Sequence, residues 1–184
     1  MGKIGIVTLN GYFNYGNRLQ NYALQEILRE LGFEVETLIN NTKINDENNL
    51  NEKSKISKKN INRLYNIIVS KLWRYLYLNK INHQRIQIFK NFSLQYIFES
   101  NFCISEDSIP EDLMEQYEFF VTGSDQVWNP NYRKGSPIEF LTFAPPEKRI
   151  AYAPSFGVSK IPSKYIDNYS KWLSEISNLS VREE

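Results

Sequence analysis

Lys3 to Leu9 (KIGIVTL) is short, apolar and β-branched, the pattern of a parallel strand buried on both faces. A loop without charge, Gly11 to Asn17 (GYFNYGN), follows it. Leu24, Ile27, Leu28 and Leu31 then recur at helical spacing, and Gly32 suits the end of that helix. Phe33 to Ile39 (FEVETLI) alternates before turning apolar, and predicts a second strand. This strand–helix–strand opening implies a right-handed crossover and a doubly wound sheet.

Asn40 to Asn60 is polar, rich in Asn and Lys, and predicts a mobile loop. From Ile61 the helical period returns: Ile61, Leu64, Tyr65, Ile68, Leu72, Tyr75 and Leu76 share a stripe that Trp73 and Tyr77 widen. A second helical stretch is predicted from Asn82 to Phe92, with Ile86, Phe89 and Phe92 on one side. A short helix follows at Glu111 to Gln116, and then a buried strand at Glu118 to Thr122. Arg149 to Ala153 is a further strand. Tyr165, Ile166, Tyr169, Trp172, Leu173 and Ile176 mark a last amphipathic helix, and Leu179 to Arg182 opens one more strand. The expected fold is α/β: a Rossmann-like, doubly wound, mostly parallel sheet with flanking helices, in a single domain over residues 1–184 with a helical middle at 61–92.

Composition narrows the classes. With 41% hydrophobic and 23% charged residues, the 184-residue chain can build a core. A net charge of +1 gives no case for a nucleic-acid partner. The single cysteine, Cys103, and single histidine, His83, leave no disulfide framework and no multi-Cys or two-His metal site, and no cofactor is expected. Cys103 reads as a small buried apolar residue, His83 as solvated, and the aromatic stripe Tyr65, Trp73, Tyr75, Tyr77 as core. The opening residues lack the features of a signal peptide, and the expected setting is cytoplasmic.

Charge is segregated. Glu52 to Lys90 holds ten Lys or Arg and one acid, and Asn91 to Tyr132 holds eight acids and no base. The basic stretch reads as a solvated face. Its functional alternative is contact with an anionic membrane at its inner surface.

Ligands of open parallel sheets bind at the carboxyl ends of the strands, where three polar loops fall here. In the first, Gly11 and Gly16 permit tight turns, and Asn14 or Asn17 can cap the following helix. That loop is a capped turn, or a cradle for phosphate or sugar. In the second, Gly123-Ser124-Asp125-Gln126-Val127-Trp128-Asn129, a carboxylate and an amide suit hydroxyl groups and an indole suits a sugar face. Asp125 is a general-base candidate or a turn cap, and Trp128 stacks on ligand or packs in the core. In the third, Pro154 to Gly157, Ser155 is a hydrogen-bond donor to ligand or a turn residue.

Four segments in order, NYGNRLQNYALQ (Asn14 to Gln25), FFVTGSDQVWN (Phe119 to Asn129), AYAPSFG (Ala151 to Gly157) and LSVREE (Leu179 to Glu184), resemble the polysaccharide pyruvyl transferase family. The resemblance implies the N-terminal domain of a two-domain enzyme like the GT-B glycosyltransferases. It implies transfer of the pyruvyl unit of phosphoenolpyruvate onto sugar hydroxyls of a surface polysaccharide, as a ketal. Asp125 becomes the catalytic candidate, and Asn14, Gly16, Asn17, Arg18, Gly123, Ser124, Gln126, Trp128 and Ser155 the substrate-binding candidates. Arg18 is the cation near the first loop. Arg182 and Glu183 resemble the strand that precedes the crossover to a C-terminal domain. The resemblance implies that this domain, with the cationic pocket for phosphoenolpyruvate, is not part of the chain, and the chain alone is expected to be inactive. A C-terminal half supplied in trans, or a homodimer, is the implied partner. The alternatives are a nucleotide-sugar glycosyltransferase of similar fold and a non-catalytic glycan-binding domain.

Overall fold

The computed structural model of the chain describes residues 1–11, 14–42, 61–133 and 135–181, the backbone alone over 61–76. Six parallel strands form one sheet: β1 (Lys3–Val7), β2 (Glu34–Asn40), β3 (Glu99–Ile104), β4 (Phe119–Asp125), β5 (Arg149–Pro154) and β6 (Asn178–Ser180). Their order across the sheet is β3-β2-β1-β4-β5-β6. Helices α1 (Tyr15–Glu30), α2 (Ile61–Tyr96), α3 (Leu113–Gln116), α4 (Pro130–Arg133) and α5 (Ser163–Ser174) connect them. The α/β, Rossmann-like expectation therefore stands, with parallel pairing throughout.

The central strands are apolar because both faces are covered. On one face Val7, Leu38 and Phe120 pack with Leu113, Tyr117 and Leu141. Ile4, Ile6, Val35 and Val121 face Leu24 of α1 on the other. Further along, Trp128, Phe140, Tyr169 and Ile176 form an aromatic cluster beneath α5.

The buried side of α1 differs from the apolar stripe. Leu24 is buried, but Ile27 and Leu31 are 48% and 68% exposed. The side facing the sheet carries Asn17, Arg18, Asn21 and Gln25 instead. Arg18, Asn21 and Gln25 offset their burial with backbone and side-chain hydrogen bonds. Gln25 donates to Thr37 Oγ1 at 2.8 Å and to Phe98 O at 2.8 Å, and its Oε1 accepts from Phe98 N at 3.0 Å. Thr37 Oγ1 in turn donates to Asn21 Oδ1 at 2.8 Å. One glutamine thus fixes both backbone groups of the residue leading into β3.

Other departures have local causes. The middle is one helix, α2, rather than two, because no Gly or Pro lies within it. Tyr77, expected in the core, is 65% exposed, and the side chains of Tyr65, Trp73 and Tyr75 lie outside the described residues. β3 has no counterpart in the sequence reading: ESNFCI mixes a charge, a hydroxyl and an amide into an edge strand. Cys103 is exposed on that strand rather than buried, since Ile104 takes the inward position. Asn40 closes β2, and residues 43–60 of the expected loop lie outside the described residues, as do Arg182 and Glu183.

Replacing Gln25 by Ala removes the acceptor of Phe98 N and one of the partners of Phe98 O and of Thr37 Oγ1, which keep Thr37 N and Asn21 Oδ1 respectively. The expected loss is about 1–3 kcal/mol, read as a lower urea midpoint with an unchanged slope. A midpoint within error of the parent protein contradicts the pinning role.

Candidate functional site

The strand order reverses between β1 and β4. β1 leads to β2 on one side, and β4 leads to β5 on the other. Such a switch point leaves a crevice beyond the strand ends, because the two crossovers depart in opposite directions. A cavity of about 650 Å³ occupies it, lined by Leu9, Asn10, Asn14, Asn17, Asp125, Gln126, Asn131, Tyr132 and Arg133.

The first loop reaches this cavity through the start of α1. Asn14 is the N-cap, with extended backbone and a side chain that accepts from Gly16 N at 2.8 Å. No acid occupies the first turn, so the positive end of the helix is not neutralised from within it. Asn10 and Asn17 each hold a buried Oδ1 without a partner among the described residues. Asn10 Nδ2 donates to Leu38 O at 3.3 Å, which anchors that amide.

The second and third loops meet through the backbone. Ser155 N donates to Asp125 O at 2.8 Å, and Trp128 N donates to Ser155 O at 3.3 Å. Gly123 is required by closeness: its φ is 120°, and a Cβ there would lie 2.1 Å from Tyr152 O on β5. Asp125 itself has a φ of 73°, a left-handed conformation that turns the chain out of β4 at the cavity wall.

Of the residues expected at a ligand, Asn14, Asn17, Asp125 and Gln126 converge on the cavity. Gly16 supports the cap, Gly123 and Ser124 lie in the last turn of strand before Asp125, and Ser155 braces it. Two residues are placed elsewhere. Arg18 is 1% exposed, and its guanidinium is bound to Glu99 Oε1 at 2.8 Å, Leu9 O at 3.1 Å and Ser93 Oγ at 3.4 Å. It ties α1 to β3 and to the end of β1 instead of meeting a ligand. Trp128 is 2% exposed and stacks on Phe140 at 5.2 Å, so it packs in the core rather than on a sugar.

Asn10, Asn131, Tyr132, Arg133 and Glu139 were not singled out by the sequence. Glu139, in the short helical turn Ile138–Phe140, is 1% exposed. Its Oε1 accepts from Asn40 Nδ2 at 2.7 Å and pairs with Arg133 Nε at 3.3 Å. Its main-chain oxygen accepts from Thr122 Oγ1 at 2.6 Å and Trp128 Nε1 at 3.0 Å. Burial pushes its pKa up to about 7, against the lowering effects of Arg133 and of hydrogen bonds from Ser136 and Asn40. A signal existed in the letters: Glu139 is a lone acid among Ile138, Phe140 and Leu141, and Arg133 ends a long base-free stretch.

Chemically, the cavity sets one carboxylate and several amides around a volume suited to a small polar ligand. Among the described residues no cluster of three or more His, Cys, Asp or Glu side chains is arranged to hold a metal ion. No helix among them is long and apolar enough to cross a membrane.

The family model for polysaccharide pyruvyl transferase matches residues 14–184, most of the chain. No curated protein and no solved structure matches it significantly.

The raised pKa of Glu139 sets the sign of a stability effect. Its ionised form is disfavoured in the fold, so its contribution is fully present below about pH 4.5 and is lost as pH rises through about 7. Relative to Glu139→Gln, the parent chain is expected to lose about 3 kcal/mol over that window, seen in urea midpoints at successive pH values. Parallel pH profiles for the two proteins contradict the assignment.

Proposed function

The chain belongs to the polysaccharide pyruvyl transferase family, and from that premise we propose that the switch-point cavity receives the saccharide acceptor. The observation that carries this reading is the gathering of the Asp125 carboxylate with the amide residues Asn14, Asn17, Gln126 and Asn131 around one cavity. Sugar hydroxyls are the ligand groups whose donated hydrogen bonds match such a set.

The reaction joins two hydroxyls of one sugar to the central carbon of phosphoenolpyruvate. The enol methylene takes a proton and becomes a methyl group, two C–O bonds form, and the C–O bond to phosphate breaks. The two hydroxyl protons balance the methyl group and the departing phosphate. In this reading Asp125 accepts a hydroxyl proton as the oxygen attacks, and the amides of Asn17 and Gln126 hold the sugar against it. Asn14 and Gly16 keep the α1 terminus open toward the cavity, and Gly123, Ser124 and Ser155 hold the Asp125 turn.

Asp125→Asn is the direct test. Carbohydrate binding to the chain, followed by NMR titration with acidic and neutral oligosaccharides, is expected to weaken about tenfold in the variant, while its fold is retained. Isotope transfer from phosphoenolpyruvate to the oligosaccharide is expected to disappear. Unchanged binding and unchanged transfer mean that the carboxylate only terminates the strand. Transfer from a nucleotide sugar instead of phosphoenolpyruvate assigns the chemistry to a glycosyltransferase.

A further inference from the structure

Asp125 and Arg133 are the two charged residues on the described lining of the cavity. The acid has a role in the reading above, and the cation has none. Arg133 is held from behind. Its Nε faces Glu139 Oε1 at 3.3 Å, Nη2 donates to Asn40 O at 3.3 Å, and Nη1 donates to Thr42 O at 3.5 Å. These contacts are long for charge-assisted bonds. Each Nη also carries a second hydrogen beyond the carbonyl contact it makes.

The counter-ion is shared as well. Glu139 divides its carboxylate among Arg133, Asn40 and Ser136, and its buried Oε2 makes no close hydrogen bond among the described residues. A buried ion pair is stabilising when both partners are fully satisfied, and this one is not. The arrangement leaves part of the guanidinium charge uncompensated, on a wall that faces open volume.

We infer that Arg133 forms an anion subsite of the cavity, taking a phosphate or carboxylate group, and that Glu139 is the positioning residue that sets how much of its charge a ligand meets. The inference rests on the cavity being the carbohydrate site, and it adds an ionic requirement at one end of it. The chemistry is shared by two sources, a phosphorylated saccharide and the three-carbon enol phosphate donor.

A bound anion and the Glu139 carboxylate compete for one guanidinium. Ligand binding therefore favours the protonated carboxyl, and Glu139 takes up a proton from solvent as the anion arrives. The charged or titratable groups facing it are Arg133 and, from α5, Tyr169. Burial holds the Tyr169 phenol up at about 12, so it stays neutral throughout the relevant range. The polar contacts from Asn40, Thr122, Trp128 and Ser136 do not titrate.

Sulfate is a suitable probe because its charge is constant from pH 6 to 8. Calorimetric titration of the full chain is expected to show about tenfold tighter sulfate binding at pH 6 than at pH 8, with uptake of about half a proton at pH 7. Glu139→Gln is expected to bind sulfate tightly with a flat pH profile. Arg133→Gln is expected to lose sulfate binding and to keep affinity for a neutral oligosaccharide. Unchanged sulfate affinity in Arg133→Gln overturns the subsite. Should that variant not fold, the parent chain decides: sulfate binding without proton uptake overturns the role of Glu139. Failure of the carbohydrate reading is separable, since it removes neutral-oligosaccharide binding from the parent chain and leaves sulfate binding intact. At pH 7, glucose 1-phosphate and phosphoenolpyruvate are compared in the parent and in Arg133→Gln. A tenfold loss for either one supports the subsite and names its source, and a loss for neither overturns it.

Discussion

One carboxyl group with almost no access to water holds the rim of the cavity together. Glu139 reaches Asn40 at the end of β2 and Arg133 on the cavity wall with its side chain. With its main-chain oxygen it receives Thr122 of β4 and the indole of Trp128. The distant end of β2 and the nearer stretch from Thr122 to Arg133 are thereby referred to a single residue. Ionised carboxylates are costly to bury, and the Arg133 and Asn40 contacts only partly offset that cost. The penalty falls beside the cavity, and strained or desolvated groups of this kind are concentrated around such crevices in folded proteins.

The segment from Asn14 to Gln25 carries two separate duties. Asn14 and Asn17 face the cavity. Arg18, Asn21 and Gln25 face the sheet, where they bind the Leu9 carbonyl beyond β1, the Thr37 hydroxyl on β2 and the Phe98 backbone leading into β3. Neighbouring polar letters in one motif therefore differ in kind, and a residue's presence in the motif does not by itself place it at the ligand. Arg18 illustrates the point, since its charge is consumed by Glu99 inside the fold.

The parallel sheet, five of its six strands, the capped α1 and the approach of Asp125 to the first loop were legible in the sequence, because period and turn chemistry are local properties. The orientation of α1 was not. Hydrophobic spacing weights Ile27 and Leu31, whereas the buried polar row is revealed only by the partners that β2 and β3 bring to it. Edge strand β3 was hidden for a related reason, its polar residues being tolerated at a sheet margin. The placement of Glu139 depends on Asn40, Thr122 and Arg133 arriving together, a fact of tertiary structure that no window of sequence contains.

The pairing of β1 with β4 joins Ile4 to Phe119, with more than a hundred residues between them. The seam on which the cavity sits is thus the most non-local contact among the central strands. Closing so large a loop costs entropy before any contact rewards it. During synthesis the first two strands and their helix emerge long before their neighbour, with the inner edge of β1 still bare. Assembly of the ligand crevice is therefore a late event, and the unsealed margin is a place where a nascent chain is open to chaperones or to wrong strand partners.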